Sequence, residues 1–369
     1  MKKVIVALSG GVDSAYTAYA LRQQGYEVRG LCLELFEGST AAADALLVGE
    51  KLGIQVDIVK SHELFQRQVV DYFCGTYGKG QTPNPCVACN PGVKFAALMK
   101  AAAEQGADKV ATGHYVRCLY DEASAQYQLW RAKDPKKDQS YFLYRLNQTI
   151  LSKAIFPLGG YTKDEVRALA AQAGIPVAQK RDSQEICFIP DGDYQSFLQR
   201  QAEQTRQAGQ AGQAGSPNCR QLLEAGLISG DFVDQAGKVL GRHQGLACYT
   251  IGQRKNLGIA LGRPVFVLEL DPVKNQVVLG AEEDLYAQEV FTADNTFIDG
   301  SLPAEPLEVK VKLRSGALLA PAVYYPAAQG RARLVFAEAQ RAVTPGQSAV
   351  YYAGDRVLGG GIILSGKQE

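Results

Sequence analysis

The run Ser9-Gly10-Gly11-Val12-Asp13-Ser14 carries the most chemistry per residue in this sequence. It follows an apolar stretch, Val4-Ile5-Val6-Ala7-Leu8, and leads into a helical pattern that ends at Gly25. A strand, a glycine turn and a helix start aim several backbone N–H groups and the positive end of a helix dipole at one spot. Such a spot binds phosphate. No Lys-Ser or Lys-Thr pair follows the glycines, so the loop is not of the Walker A kind. The second cluster is Thr82-Pro83-Asn84-Pro85-Cys86-Val87-Ala88-Cys89-Asn90. Its prolines and asparagines predict an irregular loop ahead of a helix starting near Val93. Thiols held there, near a helix start, are expected to have lowered pKa values. A third cysteine, Cys187, lies in Asp182-Ser183-Gln184-Glu185-Ile186-Cys187-Phe188-Ile189, flanked by apolar residues. Zinc needs four ligands, and a second CxxC is absent. Cys32, Cys74, Cys118, Cys219 and Cys248 fall in no motif and read as packing or surface residues.

Elements that position these residues follow from the apolar pattern. Residues 1–113 alternate strand and helix, with strands expected at 3–8, 27–34, 54–60 and 108–113 and helices at 13–24, 41–52, 62–74 and 93–105. Gly25, Gly53 and Gly106 stand where helix C-caps belong. The alternation predicts an α/β fold with a doubly wound parallel sheet, whose ligands sit at the carboxyl ends of the strands. The glycine loop and Gly113-His114 both fall at such ends. A hairpin is expected over 115–131 around Asp121-Glu122-Ala123-Ser124, and Thr162-Lys163-Asp164-Glu165 is a capping box opening a helix that ends before Gly174. A further helix is expected near 193–204. The Gly-, Ala- and Gln-rich run 205–217 reads as a flexible linker or insertion. Beyond about 230, short β-rich runs at 265–270, 276–280, 307–313, 332–336 and 348–352 predict small β domains, the last a barrel. The expected division is therefore 1–204 catalytic, 205–229 linker or insertion, 230–283 central and β-rich, and 284–369 a C-terminal β-barrel.

Bulk properties narrow the setting. A chain of 369 residues, 46% apolar and 21% charged, fits two or three domains with real cores. A net charge of +1 gives no global basic field, so any RNA site must be local. Arg131, Lys133, Lys136 and Lys137, then Arg254-Lys255, then Lys310, Lys312 and Arg314 are the local basic clusters. No apolar stretch reaches the roughly 20 residues that cross a bilayer, and no leader pattern follows Met1-Lys2-Lys3. The expectation is a cytoplasmic protein without membrane contact. Its eight cysteines would then be reduced, and more apt for catalysis or metal binding than for structural staples. Only three histidines, His62, His114 and His243, leave little room for a His-rich metal site.

With both motifs in view, the chain resembles the bacterial tRNA-specific 2-thiouridylase (MnmA) family of PP-loop ATP pyrophosphatases. The likeness runs along nearly the whole length, through SGGVDS at 9–14, TPNP and CN within 82–90, ATGHY at 111–115, KDQSYFLY at 137–144, DSQEICFI at 182–189, GQRKNLGI at 252–259, TPGQSAV at 344–350 and GGGII at 359–363. It implies an adenine nucleotide alpha-hydrolase-like catalytic domain, ATP with Mg²⁺, and sulfur insertion at C2 of the wobble uridine of tRNAs for Lys, Glu and Gln. ATP would be held by Ala7, Leu8, Ser9, Gly10, Gly11, Val12, Asp13, Ser14, Leu33 and Gly113. Asn84, Pro85 and Cys86 would face the target base. His114, Lys137, Asp138, Gln139, Arg314, Ser315 and Gln347 map to tRNA-contact positions. Cys89 matches the catalytic nucleophile and Cys187 the persulfide carrier. A sulfur donor protein, a cysteine desulfurase or a relay protein, is implied as partner.

This sequence departs from the family pattern in three places. Cys86 stands where many relatives carry Asp, whose carboxylate is assigned acid/base work. Asn90-Pro91-Gly92-Val93 replaces the more usual Asn-Lys-acidic-Ile, which removes a positive charge beside the site. Residues 201–229 match nothing with a role. The first departure keeps a second sulfur route open: Cys86, Cys89 and Cys187 as ligands to three irons of a 4Fe–4S cluster, with sulfide on the fourth. Two rival functions also stand: another PP-loop adenylating enzyme of the amide or argininosuccinate synthetase type, and a non-catalytic tRNA-binding iron–sulfur protein. Tyr115, Tyr141 and Tyr144 are candidates to stack on a splayed base, and equally candidates for the core.

Overall fold

The computed structural model describes residues 2–176, 186–208 and 217–365. Asp182–Glu185 of the Cys187 motif and residues 209–216 of the low-complexity run lie outside them.

Five parallel strands form the N-terminal sheet, in the spatial order Val56–Lys60, Glu27–Glu34, Lys3–Ala7, Lys109–Ala111 and Ala154–Ile155. Alternation along the first strand decides its layers. Ile5 points into one core with Leu31, Phe95, Leu98 and Val110, while Val4 and Val6 point into another with Leu21, Val28, Ala45 and Val48. Both faces are thus covered by helices, as a doubly wound parallel sheet requires. Chain order reverses on either side of Lys3–Ala7, and the crevice at its carboxyl end is the switch point where such folds bind ligands. The capping box predicted at Thr162 is present: Glu165 N donates to Thr162 Oγ1 at 3.3 Å, and Thr162 N donates to Glu165 Oε2 at 2.6 Å.

Two helices expected to be continuous are instead interrupted by π turns. The first runs as His62–Phe65, a π segment Gln66–Val70 and Asp71–Gly78. The second runs as Pro85–Cys89, a π segment Asn90–Phe95 and Ala96–Glu104. Pro91 explains the second. It has no N–H for the carbonyl of Val87, and its ring would crowd that carbonyl in a regular α-helix, so the turn widens. The two π segments pack on each other: a Cβ on Gly92 would come 2.7 Å from Gln68 Oε1.

Downstream, a four-stranded sheet takes the order Phe266–Asp271, Gln276–Gly280, Gly230–Val233, Val239–His243. The last domain is a closed six-stranded barrel of Tyr286–Phe297, Ala332–Arg341, Ala320–Pro326, Leu307–Lys312, Ser348–Ala353 and Arg356–Ile363, the first and last strands pairing to seal it. The hairpin Val116–Asp121/Gln126–Arg131, sequentially within the N-terminal α/β region, joins this barrel sheet through Arg356 opposite Trp130. The run expected to be a flexible linker is partly helical: Tyr194–Ala208 extends into it, and Pro217–Gly226 is a helix packed on Asp71–Gly78.

Candidate active site

The glycine loop has the form its sequence predicts. Gly10 takes φ +74°, a conformation open to glycine at little cost, and its α-hydrogens face Asp44, which any side chain would strike. Gly11 is the N-cap of helix Val12–Gln23 and supplies no side-chain cap, so N–H groups of the first turn remain for a ligand. Ser14 braces the turn: its Oγ donates to Gly11 O at 3.0 Å and accepts from Ser9 N at 3.2 Å. Gly113 closes the far side, where a Cβ would lie 2.9 Å from both Asp13 C and Ser14 N. Ala7 ends the first strand, and Leu33 lies near the end of the second opposite Val59.

Asp13 is more heavily engaged than the sequence alone indicates. Lys163 Nζ meets both its carboxylate oxygens at 2.8 Å, and Tyr115 Oη donates to Oδ1 at 2.8 Å. The Lys163 side chain is 8% exposed and that of Asp13 31%. Tyr115 is therefore committed to the loop. Tyr141 and Tyr144 are wholly buried, their hydroxyls bonded to Ser348 O at 2.9 Å and Ser348 Oγ at 3.3 Å. All three are core residues, and the base-stacking alternative falls away for them. Magnesium carried by a triphosphate takes one or two carboxylates and keeps several waters. Asp13, on the mouth of an uncapped helix start, fits that demand.

Cys86 and Cys89 lie on the helical turn Pro85–Cys89, not on an irregular loop as expected. Pro85 sits at the first helical position, where its fixed φ and missing N–H suit a helix start. Asn84 precedes it with extended backbone. Cys86 and Cys187 are exposed; Cys89 is 5% exposed. Contrary to expectation, the Cys89 thiol is raised, because burial outweighs the attraction of Lys94. Crowding by protein pushes Cys187 up to about 11, again against Lys94. Lys94 was missed in the sequence reading. Its own pKa is raised: burial lowers it, but Cys89, Cys86 and Cys187 together raise it more. The same ammonium and burial hold His114 down to about 3, burial being the larger cause. His114 Nδ1 lies 2.7 Å from Thr112 Oγ1, and the ring stacks on Phe95. One continuous site results. The phosphate loop backs on Gly113, His114 follows it in sequence, and Lys94 acts electrostatically on His114 and on all three thiols.

The remaining expected residues divide by position. The Asp138 carboxylate is 1% exposed, 3.0 Å from Arg131 Nε and 3.7 Å from Lys312 Nζ. Gln139 brackets Tyr115, accepting from its N–H at 2.9 Å and donating its own to Tyr115 O at 3.0 Å. Gln347 Nε2 donates to Thr82 O at 3.1 Å and Pro83 O at 3.0 Å, so it holds the segment that leads to Cys86. These three form joints between elements. Arg314 and Ser315 are exposed on the barrel, and Lys137 is half-buried. Among the described residues no three Cys, His, Asp or Glu side chains converge as metal ligands do. The three thiols as placed therefore do not form a cluster cradle.

A PP-loop nucleotide site next to a cysteine cluster, on a three-domain α/β-plus-barrel chain, is the class this geometry defines. Residues 2–191 match the tRNA methyl transferase HUP domain, 221–281 the tRNA methyl transferase PRC-barrel domain and 287–363 the aminomethyltransferase beta-barrel domain. Similar proteins include the tRNA-specific 2-thiouridylase MnmA of Syntrophomonas wolfei, 46% identical over 98% of this chain and 99% of that protein. That of Moorella thermoacetica is 45% identical over 98% and 99%, and MnmA 1 of Caldanaerobacter subterraneus 44% over 98% and 97%. The chain belongs to the tRNA-specific 2-thiouridylase family. No helix among the described residues is long and apolar enough to cross a membrane.

Proposed function

We propose that this protein is an ATP-dependent tRNA sulfurtransferase that replaces O2 of an anticodon wobble uridine, in tRNAs for Lys, Glu and Gln, by sulfur. Uridine O2 attacks the α-phosphorus of ATP and diphosphate leaves. The oxygen, a poor leaving group, becomes part of AMP, a good one. A sulfur nucleophile then attacks C2 and AMP departs. In one route the terminal sulfur of a Cys187 persulfide attacks; Cys89 thiolate next attacks Cys187 Sγ, releasing the thiolated base and leaving a Cys89–Cys187 disulfide. In the other, Cys89 first frees the sulfur as hydrosulfide. Either way two electrons must be returned to the disulfide by two equivalents of an external thiol or by one dithiol. Bound Mg²⁺ would neutralise charge on the leaving diphosphate.

The chain's own residues support this reading in specific ways. Uncapped N–H groups at Gly11–Ser14 suit a phosphate. Asp13 would take the metal, and Lys163, already within 2.8 Å, balances its charge. Lys94 stabilises whichever of the three sulfurs is anionic. The observation that carries the proposal is that Gly113 packs on the glycine loop while Lys94 acts electrostatically on the adjoining His114 and on Cys86, Cys89 and Cys187. A donor protein of the cysteine desulfurase or relay kind would load Cys187, which is exposed where Cys89 is buried.

The test is direct. Purified protein, tRNA transcript and α-labelled ATP should give AMP and diphosphate, with 2-thiouridine found by nucleoside mass spectrometry when a sulfur donor is added. Absence of diphosphate release in the presence of transcript rules the proposal out. Thiolation surviving in both Cys89→Ser and Cys187→Ser would favour a synthetase that needs no thiol. The iron–sulfur alternative requires stoichiometric iron and sulfide after anaerobic reconstitution. Full activity without iron excludes it.

A further inference from the structure

Five cysteines lie outside the site described, and two of them meet. Cys74, on helix Asp71–Gly78, is 3% exposed; Cys219, on helix Pro217–Gly226, is half-buried, and each thiol shifts the other's titration, Cys74 upward and Cys219 downward. Cys219 also sits against the backbone of the first helix. Its Sγ donates to Asp71 O at 3.1 Å, and a Cβ on Gly75 would lie 3.8 Å from both Cα and Sγ of Cys219. Backbone contact fixes this crossing. A side chain on Gly78 would run into the Leu222 carbonyl, and a Cβ on Gly226 would come 2.6 Å from Gly78 Cα. The other three do not pair: Cys32 and Cys248 are buried without a thiol neighbour, and Cys118 Sγ donates weakly to Leu151 O at 3.9 Å.

We propose that Cys74 and Cys219 are a covalent modification site, a vicinal thiol pair that closes to a disulfide on reaction with a low-molecular-weight disulfide. The site is separate from Cys86, Cys89 and Cys187 and does not depend on the sulfur-transfer reading. The two sulfurs have different roles. Cys219 reaches solvent and can be attacked or attack; Cys74 does not. The thiolate of Cys219 accepts the Cys74 S–H, which lowers its pKa, with a smaller contribution from Gly75 N–H. Cys74 is raised by the same bond and by burial. That is the division between an attacking and a resolving cysteine.

The step balances as follows. Cys219 thiolate attacks one sulfur of RSSR, forming Cys219–S–SR and expelling RS⁻, which takes up the proton Cys219 lost. Cys74 then loses its proton and attacks Cys219 Sγ, forming the Cys74–Cys219 bond and expelling the second RS⁻ as RSH. Two protein thiols are oxidised and one RSSR is reduced to two RSH. The product ties the helix leading into the middle domain to the helix behind the catalytic cysteines. Phe73 and Tyr77 of that helix pack with Phe188 and Tyr194, next to Cys187.

Full-length protein carrying Cys86→Ser, Cys89→Ser and Cys187→Ser, equilibrated with oxidised glutathione, isolates the pair. A second form, with only Cys86→Ser and Cys187→Ser, guards against a fold weakened at buried Cys89. Non-reducing peptide mass spectrometry should find Cys74 joined to Cys219 and no retained glutathione. The apparent melting temperature should rise by roughly 5 °C or more, since the link closes a long loop. Adding Cys74→Ser should trap glutathione on Cys219, and adding Cys219→Ser should leave Cys74 unmodified. The proposal is overturned if glutathione stays on Cys219 with Cys74 present, or if neither cysteine reacts in either folded form.

Discussion

Replacing His114 by Gln should flatten the acid sensitivity of this protein, and the size of the effect follows from one group. Folded, His114 is held down to about 3 by burial and by Lys94. Unfolded, it returns to about 6.5. Below pH 6.5 the unfolded chain binds a proton that the folded chain refuses. The sign is therefore a stability that is present above pH 6.5 and lost as pH falls toward 3. One withheld proton costs about 1.4 kcal/mol per pH unit, or about 2 kcal/mol between pH 7 and 5; the ring is partly exposed, and screening lowers this to about 1–2 kcal/mol. The assay is urea denaturation of wild type and His114→Gln at pH 7, 6 and 5. His62 and His243 are common to both proteins, so the difference between their slopes isolates His114. The gap between wild type and variant should shrink by about 1–2 kcal/mol on going from pH 7 to pH 5. Parallel loss in the two proteins, or a His114 NMR resonance that titrates near pH 6.5, refutes the reasoning.

Three further outcomes are expected. Lys163→Met leaves Asp13 without its cation; denaturation should show a loss of about 1–3 kcal/mol, and combination with Asp13→Asn should fall short of additivity by about 1–2 kcal/mol. Strict additivity in that cycle would mean the two groups do not interact in solution. Gly113→Ala places a methyl group 2.9 Å from the loop backbone, and calorimetric ATP affinity should drop about tenfold or more while circular dichroism is unchanged. Unaltered affinity would remove Gly113 from the nucleotide site. Gln347→Ala unfastens the carbonyls of Thr82 and Pro83; it should cost about 1–2 kcal/mol of stability and lower kcat more than it raises the KM for tRNA. A change confined to KM would instead make Gln347 a direct RNA contact.

The parallel sheet was legible because its signals are local. Apolar runs, a glycine turn and C-cap glycines place all of the first four strands within two residues of where they form. Missed strands include the short Ala154–Ile155, Gly230–Val233 and Val239–His243 and, in the barrel, Ala320–Pro326, Tyr286–Phe297 and Arg356–Ile363, the last two mixing polar and glycine residues. The pairing of those two is long-range, and no local pattern announces it. Long-range contact also explains Asp138, Gln139 and Gln347, which carry polar side chains in a suggestive motif yet serve as joints between distant segments. The conversion of Cys86 and Cys89 from loop to helix traces to Pro85, a residue that reads as a breaker before it but as a helix start from its own position. Cys219 was unreadable for another reason: its partner is 145 positions away, and only the glycine contacts between two helices bring them together.

Asn90-Pro91-Gly92-Val93 carries no positive charge, but Lys94, the next residue, brings an ammonium to the same thiols. In an α-helix of about 3.6 residues per turn, position 94 would stand roughly 140° around the axis from position 89. The π turn closes i to i+5, so residue 94 stacks back over residue 89. Pro91 forces that widening by removing an N–H, and Gly92 permits it by letting Gln68 approach within van der Waals range. Lys94 then faces Cys86, Cys89 and Cys187 at once, and His114 beyond them. At Cys89 burial still outweighs Lys94, and the thiol stays raised. An ammonium near three sulfurs favours whichever one carries the charge, which is what the proposed thiolate and persulfide steps would require. The ammonium beside these sulfurs therefore comes from Lys94, which lies within the widened turn that contains Pro91.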